Sequence, residues 1–321
     1  MKKEKKIKSS RERTLLSDSD LKQKKVIIFY WIFVILLLIG TITAFLPFVW
    51  GVLSALKSPS EIFAFPPRLF PGSSLNVFKW KWENYISAWD KVNFLKYFWN
   101  TIVLAIGVWF FNIFPAALSA YALSKLKVPF LKTISLLFFA TLMVPFQAVL
   151  IPLYLTVIKL PILGINLLQD IRLYQDGPLL IPGGYLAVML PAGVNAFNIF
   201  VLKSFFDDIP KDLIEAARID GASELRIFLT VALPLTQSAL AVLTIFSFMA
   251  TWNDFLWPYL VINNQTKYTI MLKLFFFHRQ GDVSWNLIMA ALILASIPPI
   301  IVFTLFQKKI IQGINLSGMK I

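Results

Sequence analysis

The sequence predicts an all-α integral membrane protein of six transmembrane helices with one helix–turn–helix loop on the cytoplasmic side. Three observations predict it. Hydrophobic residues make up 58% of the 321 residues, charged residues only 15%, and the mean hydropathy is +0.71, too apolar for a soluble chain of this size. Six charge-free runs follow one another, each at least 25 residues long. One stretch, Ile209 to Leu235, concentrates charges in an otherwise apolar second half.

The runs are Val26 to Leu56, Tyr97 to Ser124, Thr133 to Ile158, Gly177 to Leu202, Ile227 to Asn253 and Val283 to Gln307. Each exceeds the roughly 20 residues that a helix needs to cross about 30 Å of hydrocarbon. A membrane barrel would instead show alternating segments of about 10 residues. Six spans put both termini on one side, and that side holds 20 of the 31 basic residues, ten of them before Val26. Both termini are therefore expected in the cytoplasm. Much of the basic excess lies in the tail through Lys25, whose ten basic and four acidic residues carry +6 of the net charge of +14, which fits contact with anionic membrane lipid rather than nucleic acid. The domain reading is a basic tail over 1–25, a transmembrane domain over 26–307 with a loop over 205–235, and a C-terminal cytoplasmic tail over 308–321.

Taken in order, the segment after the first run contains "SPSEIFAFPPRLFPG" and then Trp80, Trp82, Tyr85 and Trp89, aromatics suited to a half-wetted membrane interface. The basic turn "SKLKVPF" links the second and third runs, with Pro129 opening the next helix. Pro145 and Pro152 in the third run, and Pro182, Pro191, Gly183, Gly184 and Gly193 in the fourth, predict kinks. Between them, Ile162, Ile165 and Leu168 are spaced for a short amphipathic helix. The only histidine, His278, has no cysteine in the chain to join it, so no metal site is expected. No cluster of acid, base and nucleophile marks a catalytic site, and the chain is read as no enzyme.

The polar stretch reads as helix, glycine turn, helix. Pro210 suits the first turn, Asp212 and Glu215 the positive N-terminal end, and Gly221 a left-handed stop after Asp220. Leu213, Ala216, Ala217 and Asp220 form a small, nearly apolar side, with Lys211, Glu215 and Arg218 beside it. Ser223 caps the second helix and Pro234 marks the start of the fifth span. A helix this short is marginal alone and must pack on something, which makes it a docking knob for a cytoplasmic partner. Asp254, directly after the fifth run, offers with Trp252 and Asn253 either a substrate path, with hydrogen bonds and a stacking face for a ligand, or a subunit interface.

"EAARIDGASELRIFLTVALP" resembles the EAA motif of ABC importer permeases, and "WENY", "ALSAYALSKLKVP", "ATWNDFLWP" and "FQKKIIQGINLSGMK" are similar to blocks of the carbohydrate branch, the MalG-like, binding-protein-dependent permeases. The resemblance runs from about Leu56 onward. The tail through Lys25 and the segment Gly164 to Pro182 have no counterpart in it. It implies the MetI/MalG-like permease fold and sugar or oligosaccharide uptake, with an EAA coupling loop of Glu215, Ala216, Ala217, Arg218, Asp220 and Gly221. It implies as partners a second, MalF-like permease, two ABC ATPase subunits and an extracytoplasmic sugar-binding protein, and a C-terminal ATPase contact through Gln312, Gly313 and Lys320. The sequence has no phosphate-binding G-x-x-x-x-G-K-[ST] loop; no cofactor is expected on this chain, with ATP and Mg on the partner ATPase. Two alternatives stand beside this reading: a polyol or glycerol-phosphate cargo on the same architecture, and an ion-coupled secondary transporter.

Overall fold

In the computed structural model the described residues are 23–72, 76–127, 129–159, 166–169, 171–172, 179–181, 183–193, 195–279, 281 and 283–318, the last eleven by backbone alone. Three helices are long and apolar enough to cross a membrane: Lys24–Ala55, Phe94–Lys125 and a final helix that runs Trp285–Gly318. Three further spans are bent pairs, for a total of up to six.

Each bend has a local cause. Leu131–Leu142 and Phe146–Ile158 meet at 100°, because Pro145 has no N–H to continue the first helix and disfavours helical backbone at Val144 before it. The fourth span divides into Tyr185–Met189, a single 3-10 turn over Pro191–Gly193, and Ala196–Asp207. Asn195 restarts the helix by accepting the Asn198 N–H at 3.2 Å. The fifth span corrects the expected boundary. Gln237–Asn253 crosses, while Glu224–Leu235 is turned 82° away and belongs to the loop. Pro234 withholds a donor, a π-helical stretch over Phe228–Ala232 absorbs the mismatch, and the Thr236 hydroxyl donates back to Leu233 O at 3.1 Å. The expected loop start moves as well, since the helix Ala196–Asp207 continues past residue 205.

The second span is the axis of the bundle. It packs on Ala196–Asp207 and on Gln237–Asn253, and the last span packs on Gln237–Asn253, on the first span and on the helix Glu83–Val92. Ala116, Ala117 and Ala120 are buried along it, small side chains that let helix backbones approach closely where lipid offers no hydrophobic drive. Two buried clusters result. One, at the end away from the polar loop, gathers Phe94, Leu104, Trp252, Ile270 and Ala291. The other, at the loop end, gathers Tyr121, Leu202, Phe206, Ile214, Ile227 and Phe228.

The aromatic segment after the first span folds onto the outside of the first cluster, with Trp82 stacked on Tyr85 and Trp89 on Phe94 at ring separations of 6.3 Å and 5.4 Å. Buried Lys57 donates to Arg68 O at 2.6 Å and lies over the Trp50 ring at 4.1 Å. Pro129 sits in the turn before Leu131 rather than inside the helix, and Phe130 takes the left-handed φ of 56° there. The helix expected around Ile162 to Leu168 falls mainly outside the described residues; Leu167 and Leu168 form a turn, and Leu167 bridges Val157 O and the Gly184 N–H at 3.0 Å each. A short antiparallel ribbon, Ile171–Arg172 with Leu179–Ile181, is the one β element among the described residues.

Candidate functional site

The loop between the fourth and fifth spans carries polar chemistry, and so does a cavity at the break in the fourth.

The loop begins with the helix Lys211–Ile219, Asp212 in its first turn and Arg218 in its last. It stops in a complete Schellman motif: Gly221 N–H donates to Arg218 O and Ala222 N–H to Ala217 O, both at 3.0 Å, with Gly221 at φ +79°. Ser223 accepts the Arg226 N–H at 3.4 Å and starts the second helix, Glu224–Ile227. Loss of that cap in Ser223→Ala is expected to lower stability by about 1 kcal/mol, read as a lower midpoint in thermal unfolding of the detergent-solubilised protein.

The hidden side of this knob differs from the expected one. Ile214 is its buried anchor, with Ile227 and Phe228 from the second helix and Ala217 packed against them. Ala217 therefore faces the bundle, and the free side holds Glu215, Ala216, Asp220 and Gly221 together with the apolar Leu213, Ile219 and Leu225. Ile219 is 86% exposed. Nothing lies within 4 Å of the position that a Gly221 Cβ would take.

Arg218 has an internal task. It pairs with Glu224 at 2.6 Å and donates to Lys125 O at 3.3 Å, while the Tyr121 hydroxyl donates to the same Glu224 carboxylate at 2.8 Å. Lys125 donates in turn to Ile209 O at 2.8 Å, and Ser124 to Asp207 at 2.6 Å. The loop is thus tied to the end of the second span at several points, so that it moves with the span rather than independently. The Arg218 guanidinium, foremost, and then the Tyr121 hydroxyl hold the Glu224 carboxyl below its ordinary value of 4.5. A depressed carboxylate stabilises the fold above its unfolded value, and that contribution is lost as pH falls through the folded value. Wild type is therefore expected to be more stable than Glu224→Gln at pH 7, with the gap closing below about pH 4.5; parallel thermal unfolding across that range checks it.

The cavity, of about 780 Å³, is walled by the second span, the helix Phe146–Ile158, the broken fourth span and Gln237–Asn253. Asn112 and Asn198 meet across it, the Asn198 amide donating to Asn112 Oδ1, while Asn112 Nδ2 donates to Ala192 O at 2.7 Å. Thr251, Asn253 and Asp254 also line it, with Trp257 and Phe146 as aromatic neighbours. Asp254 Oδ1 accepts the Trp257 N–H at 3.4 Å. Trp252 is not part of this site. It is 1% exposed, its indole donates to Ala295 O at 3.1 Å, and its ring packs between Phe98 and Phe248, so the expected stacking face is a core residue. The missed residues Asn112 and Asn198 had a signal: each is the lone amide of an "FNIF" within an apolar run, where an uncompensated polar group is costly.

At the C-terminal end, Gln312 and Gly313 lie on the helical backbone of Trp285–Gly318, and Lys320 falls outside the described residues. Among the described residues no three metal-binding side chains converge; His278 packs against Trp285 at 5.3 Å.

Residues 113–316 match the family of binding-protein-dependent transport system inner membrane components. The diacetylchitobiose uptake system permease protein NgcG of Streptomyces coelicolor is 29% identical over 87% of this chain and 85% of its own length. The sn-glycerol-3-phosphate transport system permease protein UgpE of Yersinia pseudotuberculosis is 30% identical over 87% of this chain and 94% of its own. A chain in the crystal structure of a bacterial ABC transporter involved in import of the acidic polysaccharide alginate superposes with a TM-score of 0.70 at 25% identity, covering 92% of this chain and 99% of that one.

Proposed function

Because this chain belongs to the binding-protein-dependent transport system inner membrane components, we propose that it is one of two permease subunits of an ATP-binding-cassette importer for sugars or oligosaccharides. The supporting observation is the loop: a short helical knob, fixed to the bundle by Ile214 and the Arg218–Glu224–Tyr121 network, that leaves Glu215, Ala216, Ile219 and Gly221 free for a partner.

In this reading the loop and both termini are cytoplasmic, in line with the excess of Lys and Arg on that side. The loop seats in a cleft of an ATPase subunit, which binds and hydrolyses ATP with Mg. Two such ATPases serve this chain and a second, MalF-like permease, and an extracytoplasmic binding protein delivers the solute. ATP-driven closure of the ATPases favours outward access through the difference in contact energy between the two states. The rigid tie between the loop and the second span then carries the motion to the cavity walls. A C-terminal contact with the ATPases through Gln312, Gly313 and Lys320 belongs to the same reading. A polyol or glycerol-phosphate cargo is the second reading, favoured by the similarity to UgpE.

The test is purification of the tagged chain with the products of its neighbouring genes, followed by reconstitution. An ATP-hydrolysing subunit is expected to co-purify, and solute uptake to require ATP. Uptake by this chain alone, driven by an ion gradient, would overturn the proposal in favour of a secondary transporter.

A further inference from the structure

We infer that the cavity at the broken fourth span passes uncharged, hydroxyl-rich solutes and rejects phosphorylated and carboxylated ones, with Asp254 as the charge filter. This deepens the importer reading and rests on it. Among the described residues that line the cavity there is no Lys, Arg or His, and the one formal charge is the Asp254 carboxylate. An anion entering such a space leaves water, meets no cation and faces a fixed charge of its own sign; each effect is unfavourable.

A neutral polyol meets the opposite conditions. Amides at Asn112 and Asn198 both donate and accept, as sugar hydroxyls do, and a carboxylate accepts hydroxyl hydrogens in short, charge-assisted bonds. Asn253 donates to its own helix at Met249 O, 2.8 Å away, which leaves its carbonyl oxygen as an acceptor. Trp257 and Phe146 add apolar wall for the faces of a sugar ring. The alternative task for Asp254 is to accept the Trp257 N–H in the first turn of the helix Leu256–Val261, as a capping side chain does. Asparagine caps as well as aspartate does, so Asp254→Asn removes the charge and keeps the cap.

The experiment uses the reconstituted complex and the absence of cysteine from the sequence. A single Ala250→Cys, or Val149→Cys if the first fails to assemble, places one thiol on the cavity wall. Its reaction rates with a trimethylammonium and a sulfonate methanethiosulfonate reagent are measured on this chain and normalised to a small free thiol. The cationic reagent is expected to be favoured about tenfold or more, and the added Asp254→Asn to bring the normalised ratio close to one. A ratio near one without that change, or one that Asp254→Asn leaves unaltered, overturns the filter.

In parallel, proteoliposomes with an ATP supply are offered maltotriose and chitobiose together with trigalacturonate and glycerol 3-phosphate. ATP-dependent accumulation of the neutral members alone supports the inference, and equal accumulation of the anions overturns it. If no solute accumulates in an ATP-dependent way, the importer reading fails instead, and the inference falls with it.

Discussion

ATP-driven uptake is expected to fall about tenfold or more when Gly221 is replaced by valine, while the protein still folds and inserts. A β-branched residue at φ +79° costs about 1–2 kcal/mol in backbone strain, and it relieves that strain by unwinding the Schellman turn that sets the angle between the two loop helices. The rest of the bundle does not depend on this turn, since nothing packs against a Gly221 side-chain position. The thermal midpoint should move by a few degrees at most, and co-purification of the ATPase should weaken. Gly221→Asn separates the two components of the effect, because asparagine tolerates left-handed backbone yet still projects a side chain into the free face. Loss of uptake in valine alone assigns the role to the turn; loss in both assigns it to close contact at the bare Cα. Full uptake in both variants would remove the loop from transmission altogether.

The second large effect is expected at Phe206. It is fully buried and packs against Tyr121 and Phe228 at ring separations of 5.8 Å and 6.3 Å, where the fourth span, the second span and the loop meet. Phe206→Ala is expected to lower stability by about 3–5 kcal/mol through lost burial and the cavity left behind. Its particular signature is local. Amide protection should drop first in Ile214, Ile227 and Phe228, loop residues that share this cluster, with the buried cluster around Trp252 and Ile270 little changed. Uniform loss of protection across both clusters would mean that the two ends of the bundle unfold as one unit.

Much of this architecture is legible in the sequence because a bilayer imposes a simple rule: backbone polar groups must be satisfied within the segment, so apolar runs become helices. The loop was equally legible. Gly221 has one physical reason to follow Asp220, Ser223 one reason to precede Glu224, and the observed turn and cap use both residues for those reasons. What escaped is the geometry that a linear pattern cannot encode. The run from Ile227 to Asn253 carries no charge, yet the turn at Thr236 assigns its first third to the loop, because burial of Ile227 and Phe228 under the spans satisfies the same hydrophobicity as burial in lipid. Ala216 and Ala217 are neighbours of the same kind in sequence, but only the position of Ile214 decides which of them turns inward. At the cavity, Asp254 was legible as a charge at the end of an apolar run. Trp252 was misjudged because an indole suits a sugar face and a protein core equally well, and only the acceptor at Ala295 O shows which it serves.

The first span has a consequence of another order. Over Lys24 to Val49 almost every side chain faces outward, and the helix touches the bundle only through its last turns, where Gly51 lies against Ile293. The chain's own core therefore does little to hold this rod in place, and in the proposed complex it is the second permease and the surrounding lipid that fix its tilt. Stability becomes a question of supply: a copy made without its companion presents a long greasy flank, and by mass action its survival rises with the companion's concentration. Amounts of the two permeases should accordingly track one another in the cell, so that synthesis of one sets the standing level of both.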